Sequence, residues 1–111
     1  MPEAYEIREY LTSDGRSPFS EWLNKLRDRQ ARARIRTRLD RLVLGNLGDC
    51  ASVGESVHEL RIFYGPGYRV YFGLEGNTVV LLLCGGTKAS QRRDIQTAKT
   101  YWNDYRSRDD V

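Results

Sequence analysis

The sequence predicts an α+β domain of order β-α-α-β-β-β-α, with a four-stranded, mainly antiparallel sheet covered by helices. Three observations carry this. Residues 59–63 and 68–73 alternate apolar and polar side chains with period two, and Tyr64-Gly65-Pro66-Gly67 joins them as a turn. Val79 to Cys84 is a continuous apolar run, the pattern of a strand covered on both faces. Elsewhere, apolar residues recur at helical spacing in three segments.

Taken in order, Ala4 to Leu11 sets Tyr5, Ile7, Glu9 and Leu11 against Glu6, Arg8 and Tyr10, a first strand. The cluster Thr12-Ser13-Asp14-Gly15 is a turn. Ser17 as N-cap and Pro18 at the first helical position start a helix whose apolar face is Phe19, Trp22, Leu23 and Leu26. A break at Arg27 or Asp28 leads to a second helix, Arg29 to Leu44. It is lined by Ala31, Ile35, Leu39, Leu42 and Val43 and stopped by Gly45. Asn46 to Glu55 is Gly-rich and polar and reads as a surface loop. The three-strand block follows, with Glu75-Gly76-Asn77 as its second turn. Ser90 caps a last helix carrying Ile95, Ala98, Trp102 and Tyr105, and the charged end from Ser107 to Val111 frays. The fully apolar strand belongs inside the sheet, so the expected spatial order is second, third, fourth, first. The two helices form the crossover and the helices lie on one face.

At 111 residues the chain is one domain, 1–111. It has no stretch of eighteen apolar residues and no signal-peptide pattern at Met1-Pro2-Glu3-Ala4. Cys50 and Cys84 make no disulfide framework, and a reducing, cytoplasmic setting is expected. The formal charge is +3 and the pI about 9.0, and all but three of the eighteen basic residues are arginine. Arginine favours bidentate contact with carboxylate or phosphate, so an anionic partner is expected: nucleic acid or an acidic protein.

The strand alternation separates chemistry from packing. If Leu60, Ile62, Val70 and Phe72 face a core, then Glu59, Arg61, Arg69 and Tyr71 share the opposite face, with Lys88 past the last strand. A solvated ion pair of Glu59 with Arg61 is the ordinary explanation. Two arginines on neighbouring strands without a second acid point further, to an anion site. The second helix is basic through Arg29, Arg32, Arg34, Arg36, Arg38 and Arg41, with Asp40 its single acid. Charge runs are usually solvated faces, but this imbalance of sign argues for contact with phosphate or an acidic partner. His58 falls on the Leu60 side and reads as a packed histidine. No His, Cys, Asp and Glu set has ligand spacing, so neither metal nor cofactor is expected.

The segments ELRIFYGPGYRVYF and LLLCGGTKASQRRDIQTAKTYW resemble the RelE/HigB-type toxins, and more narrowly their phage-related addiction module killer protein branch. The resemblance covers nearly the whole chain. It implies a RelE/ParE-like, microbial-ribonuclease-type fold and the toxin of a type II toxin–antitoxin pair that cuts mRNA on the ribosome. It also implies a helix-turn-helix antitoxin, through which alone operator DNA is contacted. The family's basic site matches Arg61, Arg69 and Lys88. Where several relatives carry Tyr or His after the last strand, this chain has Gln91, Arg92, Arg93 and Asp94.

RNA is cut without a metal when its 2′-hydroxyl attacks the adjacent phosphate. A site must then take that proton, stabilise the phosphoryl oxygens and protonate the departing 5′-oxygen. Arg61 and Arg69 suit the second task. Lys88 suits an acid or, beside other cations, a base; Glu59 is the conventional base candidate, and Tyr71 offers a ring to stack on a nucleobase. Gln91 and Arg92 join Arg32, Arg34, Arg36 and Arg38 as candidates for RNA or ribosome contact. The competing functions are a ParE-like inhibitor of DNA gyrase, which works by binding a protein, and an inactive module that only partners an antitoxin.

Overall fold

The computed structural model describes residues 5–76 and 78–109. Met1 to Ala4, Asn77 of the second expected turn and the last two residues of the expected frayed end lie outside them. Along the chain run β1 (Glu6–Glu9), α1 (Pro18–Lys25), α2 (Arg29–Val43), β2 (Cys50–Gly54), β3 (Val57–Ile62), β4 (Tyr68–Glu75), β5 (Val79–Thr87), a 3-10 turn (Lys88–Ser90) and α3 (Gln91–Asp109). Among the described residues no helix is long and apolar enough to cross a membrane.

The sheet order is β1-β5-β4-β3-β2, with β1 parallel to β5 and the other pairs antiparallel. The predicted spatial order therefore holds for the four expected strands, and β5 is interior as its apolar run requires. The fold is α+β, but the sheet is mixed and has five strands, not four. The fifth, β2, occupies half of the segment read as a surface loop. Its turn to β3 is made by Glu55 and Ser56, both with positive φ, at 56° and 66°. Hairpins of that kind usually carry Asn-Gly or Asp-Gly, and Glu-Ser hides the signal.

Both helix starts follow their caps. The Ser17 hydroxyl accepts from the Ser20 amide, and the Asp28 carboxylate accepts from the amides of Gln30 and Ala31. Helices cover both faces of the sheet, not one. Phe19, Leu23, Ala31, Ile35 and Leu42 of α1 and α2 pack on Leu60, Ile62, Val70, Phe72 and Val80. Ala98 and Trp102 of α3 pack on Val57, Tyr71, Leu81 and Leu83 from the other side. Two strand glycines admit the large rings: a methyl at Gly85 would overlap Trp22, and one at Gly73 would overlap Trp102. The expected frayed end is helical to Asp109, because Arg108 donates to the Leu11 carbonyl at 2.7 Å and pairs with Asp104.

Candidate functional site

The site grows from the β3–β4 register. Arg61 pairs with Arg69 and Glu59 with Tyr71 across adjacent strands, and Arg69 in turn faces Gly86 of β5. All these positions lie on the α3 side of the sheet, as the alternation predicts. The turn between β3 and β4 closes with the Gly67 amide donating to the Tyr64 carbonyl at 3.1 Å. Gly65 and Gly67 have φ of 55° and 78°, the positive values expected of that turn. The Gly67 carbonyl accepts from the Lys88 amide at 2.8 Å and from Arg69 Nη1 at 3.2 Å. One carbonyl thus ties the backbone of Lys88 to the Arg69 guanidinium at the end of the sheet.

Two arginines directly opposite each other repel unless an anion joins them. Here that anion is Glu59, only 1% exposed. Its Oε1 accepts from Arg61 Nε at 3.0 Å; its Oε2 accepts from Tyr71 Oη at 3.0 Å and Gln91 Nε2 at 2.8 Å. Arg69 Nε lies 3.3 Å from the same oxygen, an ion pair without hydrogen-bond alignment. Burial by itself would raise the Glu59 pKa. The hydrogen bonds from Arg61, Gln91 and Tyr71 and the charge of Arg69 outweigh it and hold the carboxyl below its ordinary value. In the other direction, the Glu59 hydrogen bond and charge raise Arg61. Burial, then the Glu59 charge, push the Tyr71 phenol well above its ordinary value, so it remains a donor.

Glu59, Arg61, Arg69, Tyr71 and Gln91 therefore meet in one cluster, and Lys88 stands at its rim, exposed. Arg61 has 36% of its side chain exposed and faces solvent next to Asp49, whose Oδ1 is 3.8 Å from its Nη1. Two expectations change. Tyr71 has no exposed surface and packs in the α3-side core, so its ring cannot stack on a nucleobase; it serves as a hydrogen-bond donor. Gln91, expected among the RNA contacts, has its amide on Glu59 and joins α3 to the cluster. Asp49 is not among the residues the sequence singles out, whereas Asp94 stands among the four expected after the last strand. Asp94 accepts from Ser90 and sits where Gly86 leaves space for it. Asp49 has no periodic pattern around it to give it away.

No known protein-family model matches the chain. An uncharacterized protein of Haemophilus influenzae is 48% identical to it over 81 residues, which make up 73% of this chain and 82% of that protein. The chain belongs to that protein's family.

The arginines of α2 divide into ones held by the protein and ones left exposed. Arg38 donates to the Arg61 carbonyl and, at 3.3 Å each, to the Leu47 and Asp49 carbonyls, and so fastens the α2–β2 loop onto β3. Arg32 donates to the Leu26 carbonyl, and Arg34 lies over the Tyr64 ring at 4.6 Å. Arg36 is exposed. Arg92 is exposed too, on the first turn of α3. His58 stacks on Phe72 at 5.3 Å, the packed role expected of it. Cys84 is buried, and that burial, with the charge of Asp94, pushes its thiol up to about 12. It is not a nucleophile at neutral pH. Among the described residues no group of three or more His, Cys, Asp and Glu side chains is placed to hold a metal ion.

Proposed function

We propose that this chain is the toxin of a type II toxin–antitoxin pair, a ribosome-dependent mRNA endonuclease that needs no metal. One observation carries the reading: Arg61 and Arg69 face each other across β3 and β4, fixed by one buried carboxylate, with Lys88 at the open rim. Such forks are preorganised for a charge that appears only in the transition state. In the proposed step the 2′-oxygen of a nucleotide forms a bond to its own 3′-phosphorus as its proton passes to a solvent water. The bond from phosphorus to the next 5′-oxygen breaks, and that oxygen takes up a proton. Arg61 and Arg69 stabilise the phosphoryl oxygens, and the Lys88 ammonium supplies the proton to the 5′-oxygen. Glu59 is an anchor for the two guanidiniums rather than the base. The ribosome contributes alignment of the 2′-oxygen.

The physiological partner in this reading is an acidic helix-turn-helix antitoxin, matched to a surface of net positive charge. A translation extract tests the function. Addition of the protein should truncate actively translated mRNA. Intact mRNA together with cleaved DNA in a gyrase reaction would select the ParE-like alternative instead.

A further inference from the structure

The outer side of α3 carries a stripe that neither the core nor the Glu59 cluster uses. Ser90, Arg92, Arg93, Gln96, Thr97 and Thr100 line an open cleft of about 840 Å³. Their spacing of three and four places them on one side of the helix, and the stripe runs for about 15 Å at 1.5 Å per residue. No acid lines it: Asp94 is turned to Ser90 and Gly86, while Ala98 and Trp102 face the sheet. Arg92 and Arg93 are exposed, and the ion pair of Arg93 with Asp94 is loose at 3.9 Å.

Guanidinium, amide and hydroxyl groups are the set that binds sugar and phosphate, and the one carboxylate beside them, Asp94, accepts from Ser90 and is loosely paired with Arg93. The lining has no apolar side chain larger than Ala89, so it offers no pocket for the apolar anchor of a protein segment. The stripe begins where Lys88 ends the sheet site. On α2, by contrast, Arg32, Arg34 and Arg38 are held by carbonyls and by a ring.

We propose that single-stranded RNA next to the scissile phosphate runs along α3, from Lys88 towards Thr100, with Arg92 and Arg93 on successive phosphates. The identity of the ligand rests on the ribonuclease reading above. A short fluorescent RNA with 2′-O-methyl groups, which blocks cleavage, is the probe, and its affinity is measured across a salt series. Each phosphate contact contributes about 0.7 to the slope of log affinity against log salt. Arg92→Gln with Arg93→Gln should therefore lower the slope by about 1.4, while Arg36→Gln with Arg41→Gln should leave it unchanged. A slope that falls only in the α2 pair, or in neither pair, overturns the strand path and leaves the ribonuclease reading standing. No binding of RNA by the wild-type protein at low salt overturns the strand path, while intact mRNA in the translation extract is what defeats the ribonuclease reading. A poly-glutamate peptide that binds with the same dependence on Arg92 and Arg93 reassigns the stripe to a protein partner and overturns the proposal.

Discussion

Both Glu59 oxygens are engaged by Arg61, Tyr71 and Gln91, with Arg69 at ion-pair distance. A general base works best with a pKa near the working pH, and these partners move Glu59 the other way. Its folded pKa lies below the unfolded value of about 4.3. The stabilisation it gives is therefore complete above that pH and is lost as the pH falls through the lower, folded value. Removing one member of a buried ionic group leaves the others uncompensated, which costs about 3 kcal/mol when, as here, one partner is partly solvated. Glu59→Gln should lose about that much in urea denaturation at neutral pH, and its remaining stability should show a weaker decline below pH 4 than that of the wild type. Equal stability of the two proteins would mean that the arginines do not depend on this carboxylate.

At the scale of elements, legibility followed the strength of the local signal. Ser17-Pro18 and Asp28 mark their helix starts, and Tyr64-Gly65-Pro66-Gly67 its turn, because each demands a particular backbone geometry. Strand β2 was not legible: Cys50 to Gly54 has no large side chain, and Glu55-Ser56 adopts positive φ without a glycine. The Glu59 cluster was half legible, since alternation puts its side chains on one face but says nothing of how deeply α3 buries them. Arg38 shows the same limit in α2, where a run of arginines cannot reveal which one turns inward to carbonyls. Hydrogen bonds from a charged group contribute more than neutral ones, about 1.5 to 3 kcal/mol. Arg38→Gln should thus destabilise the protein by about 2 kcal/mol in thermal or urea unfolding, whereas the exposed Arg36→Gln should change it by less than about 0.5 kcal/mol. Replacing the α2 arginines together would confuse the two effects.

Taken whole, the molecule is a sheet packed from both sides. The apolar run of β5 demands cover on two faces, and α1 with α2 can supply only one; α3 is the remaining element. That requirement stood in the sequence and contradicts helices on a single face. The two sides meet the sheet through Trp22 at Gly85 and Trp102 at Gly73. Overpacking a filled core costs about 1 to 3 kcal/mol, so Gly85→Ala and Gly73→Ala should each lower the unfolding free energy by that much. A neutral result at either would mean that its indole has room to move. Since α3 begins only at Gln91, Lys88 at that end of the sheet stays exposed, and Arg92 and Arg93 follow it on the first turn of α3.

The chemistry of the cut ends tests the central claim most directly. Attack by the 2′-oxygen leaves a 2′,3′-cyclic phosphate or its hydrolysis product on one fragment and a 5′-hydroxyl on the other. Ribosome-bound mRNA treated with the wild-type protein should carry new 5′-hydroxyl ends. Lys88→Ala, folded, should produce them on the order of 100-fold more slowly, the usual cost of losing one preorganised charge. New 5′-phosphate ends, undiminished cleavage by Lys88→Ala, or mRNA that stays intact on translating ribosomes would contradict it.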